Sequence, residues 1–140
     1  VFDGFYNETN PEWFQGSSYT HGACAYILRE GNIGQGFIQD VVHAPNYFHT
    51  ALRNRWYGQQ NDNFGNPQSL QTVAVHIYAP NRYNNILGNV LGTTGYHTKY
   101  EAYPASAADC DTSVFALGFG GNCGNGTVDN AADVRTSLLR

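Results

Sequence analysis

The chain has 140 residues, with 7 basic and 11 acidic side chains giving a formal net charge of −4. Only 13% of residues are charged, against roughly 25% in an average soluble domain, whereas glycine (16), tyrosine (10) and phenylalanine (8) are frequent and methionine is absent. One domain is the natural count, scattered basic residues argue against nucleic-acid binding, no apolar run is long enough for a membrane span, and little Ala, Glu, Lys and Leu relative to Gly, Asn, Thr and aromatics argues against a helix bundle.

No signal-peptide pattern opens the chain, and Val1 stands where an initiator would. The expectation is a processed form or a piece of a longer protein. The first patterned stretch, Gly22 to Glu30, mixes small and apolar residues around Cys24. Next comes the apolar stretch Phe37 to His43, then the segment Ala44-Pro45-Asn46 through Leu52-Arg53-Asn54. A polar, Gly- and Pro-containing run, 59–71, reads as a loop. The pattern then returns: Val73 to Tyr78 is apolar, and Ala79-Pro80-Asn81 through Leu87-Gly88-Asn89 repeats the earlier segment at an offset of 35 residues. A weaker upstream copy lies at an offset of 24, setting Leu28 on Leu52, Arg29 on Arg53 and Glu30 on Asn54.

Short strands repeating with Asn, Gly and Pro turns have a physical meaning. One unit cannot bury its own apolar face, and stacking units in parallel buries a shared interior and pairs each backbone with its neighbours. Recurrent Asn suits a corner because it tolerates left-handed backbone angles and can form a ladder. Asn54 and Asn89 are the expected ladder, with Glu30 one unit earlier. About three coils are expected over 18–92, with loops at 59–71 and 104–113. An irregular cap over 93–140 completes a single domain of residues 1–140. Gly118 to Gly121 reads as a tight turn, and a helix is predicted near Asp129 to Leu139, capped by Asp129 or Asn130.

The runs Thr20 to Asn32, Thr50 to Arg55 and Asn85 to Gly92 resemble the coils of right-handed parallel β-helix proteins, the superfamily typified by pectate lyases and phage tailspikes. The resemblance spans roughly 18–120 and implies an all-β fold, a short right-handed parallel β-helix. The runner-up is a β-sandwich. The superfamily's catalytic hallmarks are an aspartate cluster for calcium with a basic residue, or a set of aspartates for hydrolysis. Neither cluster occurs in this sequence.

Strand alternation sorts candidate faces. With Leu28, Leu52 and Leu87 inward, Ile27, Arg29, His49, Ala51, Arg53, Asn84 and Ile86 face outward. His49 and Arg53 then share an outer groove, with Tyr47 and Arg82 stacked at its entrance. Such a lining suits a sugar or a uronate carboxylate, because arginine grips carboxylates in bidentate fashion. Glycoside hydrolysis needs paired carboxylates; Asp40 and Glu30 are the candidates, with Glu101 behind them. At an offset of 35, His43 and His76 do not coincide, so no shared metal site is expected. No cofactor is expected; a calcium ion would draw on Asp109 and Asp111 with Asn122 or Asn125. Cys110 and Cys123, 13 residues apart, suit a disulfide contributing roughly 3 kcal/mol, which leaves Cys24 free and points to an extracellular or periplasmic setting. The functional expectation is a polysaccharide-binding or polysaccharide-degrading module; the alternative is a non-catalytic structural or adhesive module that self-associates through exposed coil ends.

Overall fold

The computed structural model describes residues 18–20, 22–40, 43–61, 65–104, 110–121 and 131–140. The chain builds three sheets in which every paired strand is parallel. The first pass of the chain lays down β1 (Ser18–Thr20), β2 (Leu28–Glu30) and β3 (Ile33–Gly34), one strand for each sheet. The second adds β4 (Phe37–Gln39), β5 (Thr50–Leu52) and β6 (Arg55–Trp56), and the third adds β7 (Val75–Ile77), β8 (Asn84–Leu87) and β9 (Val90–Leu91). Then follow β10 (Lys99–Ala102), β11 (Ser113–Leu117), helix α1 (Ala131–Thr136) and β12 (Leu138–Leu139). The sheet orders are β1-β4-β7-β11-β10, β2-β5-β8-β12 and β3-β6-β9. An antiparallel sandwich is therefore not the architecture. The one antiparallel pairing among the described residues is the isolated bridge Asn61–Pro67, inside the expected 59–71 loop.

The offset of 35 holds in the second sheet, where Thr50, Ala51 and Leu52 pair with Asn85, Ile86 and Leu87. The upstream offset is 22, not 24: Leu28 pairs with Thr50 and Glu30 with Leu52. Asn32, not Glu30, therefore begins the ladder. Its N–H and side-chain amide donate to Asn54 Oδ1 at 2.9 and 2.8 Å. Asn54 repeats both bonds to Asn89 Oδ1, each 2.8 Å. Matching Leu on Leu and Arg on Arg misplaced this copy by two residues, because the bonding partner that sets the register is the asparagine after the corner. The corner residues themselves, Gly31, Arg53 and Gly88, hold the left-handed angles (φ 69°, 55° and 60°), so Asn supplies the ladder and its predecessor the bend.

A second ladder joins the Ala-Pro-Asn turns: Asn46 donates to Asn81 Oδ1 through its N–H at 2.8 Å and its side chain at 3.0 Å. The first sheet departs from the 35-residue offset. Phe37 pairs with Val75 and Ile38 with His76, an offset of 38. The second pass spends three more residues than the third between first and second sheet, within 40–46.

The expected faces are inverted. Ala51 (0% exposed) and Ile86 (4%) line the interior, whereas Leu28 is 59% exposed. Phe37 and Trp56 enter from the other two sheets and stack at 5.5 Å, filling the space so that only a small residue fits at 51. Val75, Ile77, Phe115, Leu117 and Val134 complete this core. The first sheet is covered on its other face too, where Ile38, Val73, Tyr78, Ala102, Cys110, Ala116 and Phe119 form a second cluster. Its strands β4 and β7 are accordingly buried at every position, the signature of a parallel sheet with two covered faces.

The region after Gly92 continues the sheets. β11 pairs with β7 and β12 with β8, while β10 lies outside β11 at the sheet edge. The predicted helix is present but short, and it delivers the chain to β12.

Candidate functional site

The four expected binding residues do not share a surface. His49 is fully buried. Its Nδ1 accepts from the Arg29 guanidinium at 3.0 Å, and its Nε2 donates to the Cys24 carbonyl at 3.0 Å. A guanidinium only donates and a carbonyl only accepts, so this ring is neutral with the proton on Nε2. Burial pushes its pKa down to about 4; the Cys24 carbonyl opposes the shift and Arg29 reinforces it. Arg53 is exposed on a corner and paired with Glu30. Arg82 is mostly buried, donating to the carbonyls of Ala79 and Asn81 and reaching Asp133 of α1 at 3.4 Å. It clamps the repeated turn to the helix. Tyr47 does sit one pass from Arg82, in a parallel bridge, and is half-buried.

The acidic candidates are engaged elsewhere. Asp40 is 1% exposed and its carboxylate meets His43 Nδ1. Glu30 meets Arg53, and Glu101 binds Arg135 at 2.8 Å and also Arg140. Of the calcium candidates, Asp111 is buried and accepts the Gln71 N–H at 2.6 Å; Asp109, Asn122 and Asn125 lie outside the described residues. Among the described residues no group of three or more His, Cys, Asp or Glu could hold a metal ion. Cys110 is buried and disulfide-bonded, whereas Cys24 is in no disulfide and its thiol donates to the Gly22 carbonyl at 3.5 Å. Cys123, the partner expected for Cys110, lies outside the described residues. His76 is buried in the second cluster, stacked on Tyr78 at 4.0 Å, and burial pushes its pKa down to about 3.

What the sequence reading missed is an aromatic strip on the outer corner before the second sheet. Tyr26 stacks on Phe48 at 5.1 Å with 6° between planes, and Phe48 stacks on Tyr83 at 5.0 Å and 9°. All three are exposed, Tyr26 by 81%, Phe48 by 43% and Tyr83 by 53%. Tyr47 leans against it, 6.3 Å from Phe48 and 6.4 Å from Tyr83. Each rung of the strip sits at positive φ: 58° at Tyr26, 57° at Phe48 and 59° at Tyr83. A bulky side chain there is unfavourable by about 1–2 kcal/mol. The chain keeps that strain three times in a row, at a surface position. The signal was present in the sequence. Phe48 and Tyr83 coincide at an offset of 35, and Tyr26 joins them once the upstream offset is 22; an offset of 24 sets Cys24 there instead.

Among the described residues the strip ends at Tyr26. Tyr26 stands on the first pass, and among the described residues its ring contact is with Phe48 alone. No protein-family model, no curated protein and no solved structure matches this chain.

Proposed function

We propose that the chain is a short right-handed parallel β-helix that binds carbohydrate without cleaving it. Three observations support the fold reading: the exclusively parallel sheets, the regular visit to three sheets in each of the first three passes, and the asparagine ladders.

The observation that carries the function is the exposed strip Tyr26, Phe48 and Tyr83, held on strained backbone. A tyrosine offers an apolar ring and a polar tip. The open face of Tyr26 takes the C–H face of a sugar ring, and the hydroxyls of Tyr26 and Tyr83 bond to sugar hydroxyls along the edge. The engaged carboxylates favour binding over hydrolysis. A disulfide at Cys110 supports an extracellular or periplasmic setting, since such bonds persist in oxidising compartments.

The test is affinity electrophoresis against a panel of neutral and acidic polysaccharides. Retardation by at least one polysaccharide is expected, with tenfold weaker binding in Tyr26→Ala and no reducing ends released. A folded protein that binds none of the panel, or binds equally well as Tyr26→Ala, overturns the reading.

A further inference from the structure

We propose that the ligand of the aromatic strip is a neutral β-1,4-linked glycan in extended, ribbon form, laid across the strands along the row of rings. This rests on the carbohydrate reading above and names the substrate class. Neighbouring strands lie about 4.8 Å apart in a sheet, and each ring of the strip comes from one pass. The rings follow that spacing: Tyr26 to Phe48 is 5.1 Å and Phe48 to Tyr83 is 5.0 Å, with 6° and 9° between planes. Stacking covers the faces where the rings meet, so the row turns ring edges to solvent. Only the outer two rings carry a hydroxyl. The row therefore offers a hydroxyl, an apolar edge and a second hydroxyl, with the two phenols two ring steps apart.

An extended β-1,4-linked pyranose chain turns each sugar over relative to the last. The same sugar edge returns at every second residue, and the length of that repeat is close to two ring steps of the strip. The hydroxyls of Tyr26 and Tyr83 thus meet equivalent groups on the first and third of three consecutive sugars, while Phe48 packs against C–H groups of the second. An α-1,4-linked chain curves and a β-1,3-linked chain coils, so neither keeps equivalent groups in a straight row of this spacing.

A second row runs beside the rings. Leu28, Thr50 and Asn85, each two residues after a ring, pair in register across the same three passes. Thr50 and Asn85 point outward, because their chain neighbours His49, Ala51, Asn84 and Ile86 are buried and side chains alternate along a strand. Asn85 Nδ2 donates to Thr50 Oγ1 at 3.2 Å, which leaves Asn85 Oδ1 to accept a sugar hydroxyl. Leu28 is exposed and adds an apolar contact. This row carries no charge, and the arginines on either side are engaged, Arg53 with Glu30 and Arg82 with Ala79, Asn81 and Asp133. A uronate carboxylate would find no spare cation here, so the lining suits a neutral glycan.

The test is isothermal titration calorimetry of the full chain. The probes are β-1,4-linked hexasaccharides of glucose, N-acetylglucosamine and mannose, their disaccharides, and α-1,4- and β-1,3-linked glucose hexasaccharides. At least one β-1,4-linked hexasaccharide is expected to bind at least tenfold more tightly than its disaccharide, which cannot reach both phenols, and than either glucose hexasaccharide of the other linkages. Tyr83→Phe keeps the stacked ring and removes one hydroxyl, and should weaken that binding about fivefold. Asn85→Ala should weaken it by a similar factor. Equal binding of the other linkages, equal binding of the disaccharide, wild-type affinity in Tyr83→Phe, or binding of acidic polysaccharides only overturns the proposal and leaves the carbohydrate reading standing. A folded chain that binds no carbohydrate, here or in electrophoresis, overturns both.

Discussion

Asn54 donates its backbone N–H and its side-chain amide to one atom, Oδ1 of Asn89, both at 2.8 Å. Its own Oδ1 receives the same pair of bonds from Asn32, and its amide also reaches the Arg29 carbonyl. One buried side chain therefore ties three passes together. Asn54→Ala removes its acceptor and donor at once and strands the Asn32 amide groups. The expected loss is about 2–4 kcal/mol of unfolding free energy, read as a lowered urea midpoint. Asn54→Asp keeps the acceptor but loses the amide donors, and should also be destabilised. If either variant unfolds at the wild-type midpoint, the ladder is not a major stabilising element.

The aromatic strip sets stacking against backbone strain. Phe48→Ala loses two stacked neighbours, each pair contributing about 0.5–1.5 kcal/mol beyond area burial, and keeps a residue with a Cβ at φ 57°. Phe48→Gly loses the same stacking but relieves the left-handed strain. The glycine variant should therefore be the more stable of the two by about 1 kcal/mol, a comparison made by paired thermal denaturation. The reverse order would mean that the corner relaxes when the ring is removed.

Gln39 and Asn84 exchange two amide hydrogen bonds of 2.9 Å across the buried interior. Gln39→Leu or Asn84→Leu alone leaves one buried amide without its partner, at a cost of about 1–3 kcal/mol. The double substitution removes both polar groups and should cost less than the two singles combined. A double-mutant cycle measures that coupling; strict additivity would show that the two amides are stabilised independently.

Histidine burial gives the fold an acid limit. The pKa values of His49 and His76 are pushed down to about 4 and about 3, below the ordinary 6.5 of an unfolded chain. A group with a lowered folded value binds more protons when unfolded. Its stabilising contribution is complete above about pH 6.5 and is lost as the pH falls toward the folded value. Between pH 7 and pH 4, His49 accounts for roughly 3 kcal/mol of that loss at most. In His49→Gln the acid slope should be shallower, read from urea midpoints at a series of pH values. An unchanged slope would assign the acid sensitivity to other groups.

Much of the architecture was legible in the chain itself. The repeat of Ala44 to Asn54 in Ala79 to Asn89 reports true cross-pass neighbours, because residues stacked in one column experience the same corner and the same ladder. Part of the glycine, asparagine and aromatic content sits at those corners, as Gly31, Gly88, Asn54, Asn89, Phe48 and Tyr83. The helix expected near Asp129 to Leu139 is present as Ala131–Thr136, while Asp129 and Asn130, its expected caps, lie outside the described residues.

Three things waited for the tertiary structure. The upstream register depended on Asn32 meeting Asn54, a hydrogen bond that similarity of side chains does not reveal. The inward face of the second sheet depended on how much space Phe37 and Trp56 leave for Ala51, a packing property shared among three sheets. The aromatic strip depended on both, because rings 22 and 35 residues apart become neighbours only when the passes stack in that register. Sequence periodicity determines which positions recur. Which side of the strand is buried, and which groups on the other side come together, is decided by the volume and hydrogen bonds of residues distant in the chain.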